Sequence, residues 1–241
     1  MSKSAFFDNT EIAFSLKSNS ELNRAYFLFK MISFEPLVKV GKSLSNFAIK
    51  AKLPVDSVIR ATVFDHFCGG INENDCLPVI DAMYEKGVSS VLDFSVEGKV
   101  EEAFFDAATQ KTLEIINFSE TKDAMPIAVF KPTGFGKPAL YEKKSAGKAF
   151  TAEEQEEWNR VEARYHEVCK LAKEKDVELL VDAEESWMQK AVDELVTEMM
   201  QKYNTEKAIV YNTLQMYRHD RMDFLKEEVS LAKKNNYYLG Y

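Results

Sequence analysis

Cysteine, histidine and positive charge are all scarce in this chain of 241 residues, and each scarcity excludes something. The three cysteines, Cys68, Cys76 and Cys169, are odd in number and form no C-x-x-C, so neither a disulfide framework nor a thiolate zinc site is indicated. The three histidines, His66, His166 and His219, lie far apart, and none pairs with another at helical ligand spacing; no metal site is expected. His66 and Cys68 in "DHFC" read as a partly buried pair at a helix end rather than as a catalytic dyad. With 31 Lys and Arg against 39 Asp and Glu, the formal charge of -8 excludes the basic face that nucleic-acid recognition usually needs. Long apolar runs are missing too. No stretch approaches the roughly 18 residues of a membrane span. The opening "MSKSAFFDNTEIAFSLKS" lacks both a signal-peptide core and the Arg-rich, acid-free character of a transit peptide. The expectation is a soluble, cytoplasmic protein.

What is present is a 46% hydrophobic composition, enough for one large domain with a helical extension. Residues 1–87 read as helical. In "SELNRAYFLFKMIS" Ser20 can cap, with Leu22, Tyr26, Phe29 and Phe34 as an apolar stripe. Pro54 suits a first helical turn before Val58, Ala61 and Phe64, and "CGG" at 68–70 closes that helix. Cys76, Val79, Ile80 and Met83 give another helix, stopped by Gly87.

From Val88 the pattern changes. Short apolar or β-branched runs occur at 88–94, 125–131, 177–182 and 207–213, and in the terminal "NNYYLGY". Helices lie between them. Thr151 with Glu154 makes a capping box ahead of Trp158, Val161, Tyr165, Val168 and Ala172; Ser186 with Gln189 repeats the signal before Ala191, Leu195, Met199 and Tyr203. Met222, Leu225, Val229 and Ala232 form the last stripe. Such alternation predicts a parallel sheet with helical crossovers. A (β/α) barrel is favoured over a doubly wound sheet, because no glycine-rich turn opens the first unit. In either architecture ligands gather at the C-terminal strand ends.

Those ends carry polar groups. Asp182 follows "ELLV" and should point into the mouth, whereas Glu184 and Glu185 precede a helix whose N-terminus favours negative charge. Lys131, Asn212 and Asp93 end the other runs. A lone strand-end lysine is usually solvated, but an ammonium and a carboxylate on one face are suited to holding a zwitterion or activating a carbonyl.

Taken in order, "FKPTGFG", "LLVDAEESWMQ" and "IVYNTLQMY" resemble proline dehydrogenase, the flavin-dependent (β/α)8 barrel that oxidises proline. "DNTEIAFSLKSNSELNRAYFLF", "FDHFCGG" and "LYEKKSAGKAFTAEEQEEW" extend the resemblance to nearly the whole chain. The resemblance implies FAD as cofactor, L-proline as substrate, 1-pyrroline-5-carboxylate as product and quinone as electron acceptor. It implies that Lys131 meets the substrate carboxylate, that Asp182 is the active-site aspartate, that Ala183 lies against the flavin, and that Asn212 stands where many bacterial members place a flavin-contacting glutamine. It further implies an α/β, TIM-barrel type domain at 88–241, broken off after about four strands and the start of a fifth, behind a helical extension at 1–87. Later strands, a flavin-contacting arginine and a pair of substrate-clamping arginines would then lie beyond Tyr241.

Two other functions fit the residues. Lys131 suits a Schiff-base aldolase nucleophile with Asp182 as proton shuttle, and the acids suit mere helix capping in a helical interaction module. Lysines 30, 39, 42, 50 and 52 are compatible with peripheral contact at an anionic membrane that supplies quinone, or with an ordinary solvated face.

Overall fold

A computed structural model of the chain describes residues 8–55, 60–94 and 100–241, with the side chains of residues 49 and 61 also left undescribed. The chain divides into two compact units, residues 1–87 and 88–241.

The first unit is helical. After a single turn at Thr10–Ala13 come α1 (Asn19–Ile32), α2 (Glu35–Lys50), a wide turn at Arg60–Phe64 continued by Asp65–Phe67, and α3 (Glu73–Tyr84). Ser18, not Ser20, caps α1: its hydroxyl accepts from Glu21 N while Glu21 Oε2 accepts from Ser18 N at 2.8 Å, a reciprocal capping box. The box wins because Ser20 has no glutamate three residues on. Asn72 caps α3, and Gly87 at φ +74° ends the turn after it, a conformation glycine adopts without strain. Val58 of the expected Pro54 helix lies outside the described residues. His66 packs edge-on against Phe29 and Phe67, at 5.3 and 4.8 Å between ring centres.

The second unit alternates helix and strand: α4 (Glu102–Ser119), β1 (Ile127–Phe130), α5 (Pro138–Ser145), α6 (Ala152–Lys175), β2 (Glu178–Val181), α7 (Gln189–Tyr203), β3 (Val210–Asn212) and α8 (Arg221–Asn235). The strands form an open parallel sheet in the order β1-β2-β3, with Phe130 opposite Val181 and Val181 opposite Asn212. Alternate residues face opposite sides. Phe130, Val181 and Val210 turn towards the helices, where Trp158, Tyr165, Leu179, Val196 and Met199 fill a fully buried core. Each such side chain contributes about 1.5–3 kcal/mol. Phe130 stacks on Phe135 at 4.3 Å, and Tyr165 of α6 meets both rings edge-on. The capping box of Thr151 and Glu154 forms as expected.

Two expectations change here. Residues 88–94 and 237–241 are not ladder strands. The first segment bonds its neighbour through Ser90 N to Ala124 O, and the last runs beside β3, with Asn212 N donating to Gly240 O at 3.0 Å. Neither segment pairs as a ladder, so among the described residues three strands are formed where four and the start of a fifth were expected. Gly240 permits the approach, because a Cβ there would lie 2.3 Å from Val210 O. At α7, Ser186 does not cap. Met188 occupies the cap position, and the hydroxyl of Ser145 from α5 accepts from Ala191 N and donates to Met188 O. The cap comes from another element, a pairing that local spacing does not reveal.

Candidate functional site at the strand ends

Lys131 and Asp182 are neighbours because of the register. Each follows the last residue of its strand, Phe130 or Val181, and so faces away from the helix layer; Asp182 N donates to Phe130 O at 3.0 Å. Their side chains meet, Lys131 Nζ donating to Asp182 Oδ2 at 2.5 Å. Asp93 comes in from the segment before α4, its Oδ2 lying 3.1 Å from the same nitrogen. The three side chains are 22, 34 and 40% exposed for Lys131, Asp182 and Asp93 respectively, so the cluster is half-buried and reachable. Partial burial pushes the Lys131 pKa down, but the hydrogen bonds it donates to Asp182 and Asp93 outweigh this and leave it above the usual lysine value. Lys131 is therefore a fixed cation at neutral pH, a poor amine nucleophile.

The backbone around it is held from several sides. Tyr141, fully buried, donates to Pro132 O at 2.9 Å, and Gly134 N donates to Lys131 O. Glu184 does not cap α7. Its carboxylate accepts from Thr133 N at 2.8 Å and Thr133 Oγ1 at 2.7 Å, and its carbonyl accepts from Gln215 Nε2 at 2.7 Å. One residue thus ties together the loops after β1, β2 and β3. The strand-to-strand spacing brings Thr133 within reach, so the loop bonds win over the dipole of the following helix.

Asn212 is not brought to the mouth. It shares a row with Phe130 and Val181 and is fully buried on the helix side, where its Nδ2 donates to Asp193 Oδ1 at 3.0 Å and its Oδ1 accepts from Thr213 N. Asp193 also accepts from Gln189 Nε2 and, at 2.6 Å, from Arg221 Nη1. Sequence reading missed this buried network, and it missed the Glu184 staple. Strand alternation alone hinted at the first, since Asn212 has the parity of Val210.

Ala183 is half-buried between Asp182 and Glu184, and its side chain is a single methyl. Lys131, Asp182 and Ala183 lie together at the strand ends, where an anionic substrate and a planar group would fit, whereas Asn212 makes one bond through Nδ2 and one through Oδ1 on the helix side. The cavity beneath Lys131, lined with Phe94, Phe104, Thr133 and Phe135, holds only about 20 Å³, room for a water. A larger cleft of about 560 Å³ lies between α7 and α8, lined by residues including Asp193, Arg218 and Arg221, and the strand-end residues Lys131, Asp182 and Ala183 take no part in it. Among the described residues no group of His, Cys, Asp and Glu is placed to hold a metal ion, and no helix is long and apolar enough to cross a membrane.

Comparison with known proteins adds the following. The family model described as proline dehydrogenase matches residues 76–241. A carbapenem antibiotics biosynthesis protein, CarD, of Pectobacterium carotovorum is 33% identical over 203 residues, covering 84% of this chain and 54% of that protein. Proline dehydrogenase 1, mitochondrial, of Dictyostelium discoideum is 25% identical, covering 93% of this chain and 46% of that one. Among solved structures, proline utilization A (PutA) from Bdellovibrio bacteriovorus, inactivated by N-propargylglycine, superposes with a TM-score of 0.58 at 17% identity, covering 96% of this chain and 23% of the other. The chain spans about half the length of the curated relatives it matches.

Proposed function

The chain belongs to the proline dehydrogenase family, and from that premise we propose that it carries the substrate-anchoring part of an FAD-dependent enzyme that oxidises L-proline to 1-pyrroline-5-carboxylate and passes the electrons to quinone. The observation that supports this reading most is the Lys131–Asp182 pair on adjacent parallel strand ends, 2.5 Å apart and half-exposed. The open three-stranded sheet is, on this proposal, the first part of a (β/α)8 barrel, with the unit at residues 1–87 as an extension.

In the reaction, Lys131 presents a permanent ammonium to the substrate carboxylate, and Asp182 fixes the direction in which that ammonium points. Glu184 keeps the loops carrying both residues at constant spacing. Ala183 keeps its strand end free of bulk where the flavin would lie. A flavin supplies the acceptor for the hydride that leaves the ring carbon beside nitrogen; the described residues bind and orient the substrate. Asn212 acts in this scheme as a buried brace behind the sheet rather than as a flavin ligand.

The aldolase reading loses support because Lys131 is held as a cation by two carboxylates. The interaction-module reading loses support because Asp182 and Glu184 bond to other loops instead of capping α7. Peripheral contact with a quinone-bearing membrane is proposed through α2, where Val40, Leu44 and Phe47 are exposed beside Lys39 and Lys42. The test is proline-dependent reduction of a soluble quinone by the FAD-supplemented protein. Turnover with L-proline that disappears in Asp182→Asn supports the reading; turnover unchanged in that variant removes Asp182 from it.

A further inference from the structure

Lys131 carries more negative charge than a substrate anchor needs. Its nitrogen has three N–H donors, and two carboxylates engage it, so a single ammonium faces two negative charges. An incoming carboxylate must approach a cluster whose net charge is -1.

The two carboxylates are held differently. Asp182 is fixed by the sheet: its own N–H bonds to Phe130 O, and its side-chain contact is the shorter, at 2.5 Å. Asp93 sits 3.1 Å away on a segment without regular structure, which Ser90 N ties to Ala124 O and which Leu92 packs against the core. It is also the more exposed of the two, at 40% against 34%. Asp93 lies outside the sheet ladder, so turning its side chain away from Lys131 leaves the strand pairing intact, whereas moving Asp182 disturbs the bond of its N–H to Phe130 O.

We propose that Asp93 is a displaceable placeholder: it occupies the position on Lys131 that the substrate carboxylate takes, and binding requires the exchange of one carboxylate for the other. This rests on the reading that Lys131 meets the substrate's carboxylate. Asp93 then acts through Lys131 as a positioning residue. It keeps the ammonium aimed and paired when substrate is absent, and it sets a threshold that weak anions do not pass. A carboxylate whose molecule also carries a positive charge is penalised less by the departing Asp93, which remains nearby as a counter-charge. The site therefore selects zwitterions over simple anions of the same shape.

The test compares L-proline with cyclopentanecarboxylate, a ring carboxylate without the amine, by calorimetric titration of the wild type, Asp93→Asn, Asp93→Ala and Lys131→Met. Asp93→Asn and Asp93→Ala should each bind cyclopentanecarboxylate about fivefold more tightly than the wild type, in keeping with the modest coupling of a part-exposed ion pair. Lys131→Met should lose that binding. A purely structural Asp93 would not tighten anion binding on removal. Unchanged or weaker anion binding in both Asp93 variants overturns the proposal, and so does the failure of cyclopentanecarboxylate to bind any of the four proteins. Tightening for cyclopentanecarboxylate with no binding of L-proline by any protein sustains the placeholder and removes the proline reading instead.

Discussion

Lys131 draws its role from four neighbours rather than from its own chemistry. Phe130 before it is locked in the aromatic stack, Pro132 after it is held by Tyr141, and two carboxylates keep it charged. Replacing Lys131 by Met should lower kcat/KM for L-proline about tenfold to a hundredfold, the scale of one lost hydrogen bond to a charged group, with most of the change in KM. Initial rates over a range of proline concentrations measure it. A second residue-scale effect lies far from the site. Burial raises the Glu228 carboxyl above the usual value, more than the Thr197 hydroxyl, donating at 2.9 Å, lowers it, and Asp193 raises it further. Below the ordinary glutamate pKa both folded and unfolded chains hold the proton, so no penalty exists. Between that value and the raised folded one the unfolded chain ionises while the native state keeps its proton, so stability falls across this window and stays lower above it. Glu228→Gln should therefore raise the melting temperature at pH 7 and change it little at pH 4, as calorimetric scans at the two values would show.

At the scale of elements, the helices and the three central strands were legible in the sequence because each had a local signal. The Thr151–Glu154 box and the spacing of Trp158, Tyr165 and Val168 marked α6, and the runs "IAVF", "ELLV" and "VYN" became β1, β2 and β3. What stayed hidden depends on partners remote in sequence. Ser145 caps α7 from 46 residues away, counting to Ala191. Glu184 meets Thr133 across 51 residues, and Asn212 faces Asp193 because of a register that no short window reports. The run at 88–94 has strand composition but lacks a partner in register among the described residues, and composition alone over-read it. A prediction follows for the remote cap. Ser145→Ala removes the acceptor for Ala191 N, and should cost about 1 kcal/mol, a fall of about 2–4 °C in melting temperature. An unchanged thermal transition would mean that water replaces the hydroxyl there.

At the scale of the whole molecule, the site depends on parallel pairing. Because β1 and β2 run the same way in adjacent positions, their C-terminal ends fall side by side, and a lysine and an aspartate 51 residues apart become one ion pair. The sheet stays open, and its face opposite the helices carries Leu180 and Tyr211 half-exposed beside the Lys131–Asp182 pair. The order of strand-end motifs made the family legible before any coordinates, whereas the orientation of Asn212 could only come from the sheet itself. On the proposed function, this strand end holds proline by its carboxylate for oxidation by a flavin. Anaerobic titration of the FAD-supplemented protein with L-proline, followed by visible absorbance, tests it most directly. Loss of the oxidised-flavin band with L-proline is expected in the wild type, with much higher proline required in Lys131→Met. Bleaching at the same proline concentration in both proteins would contradict it.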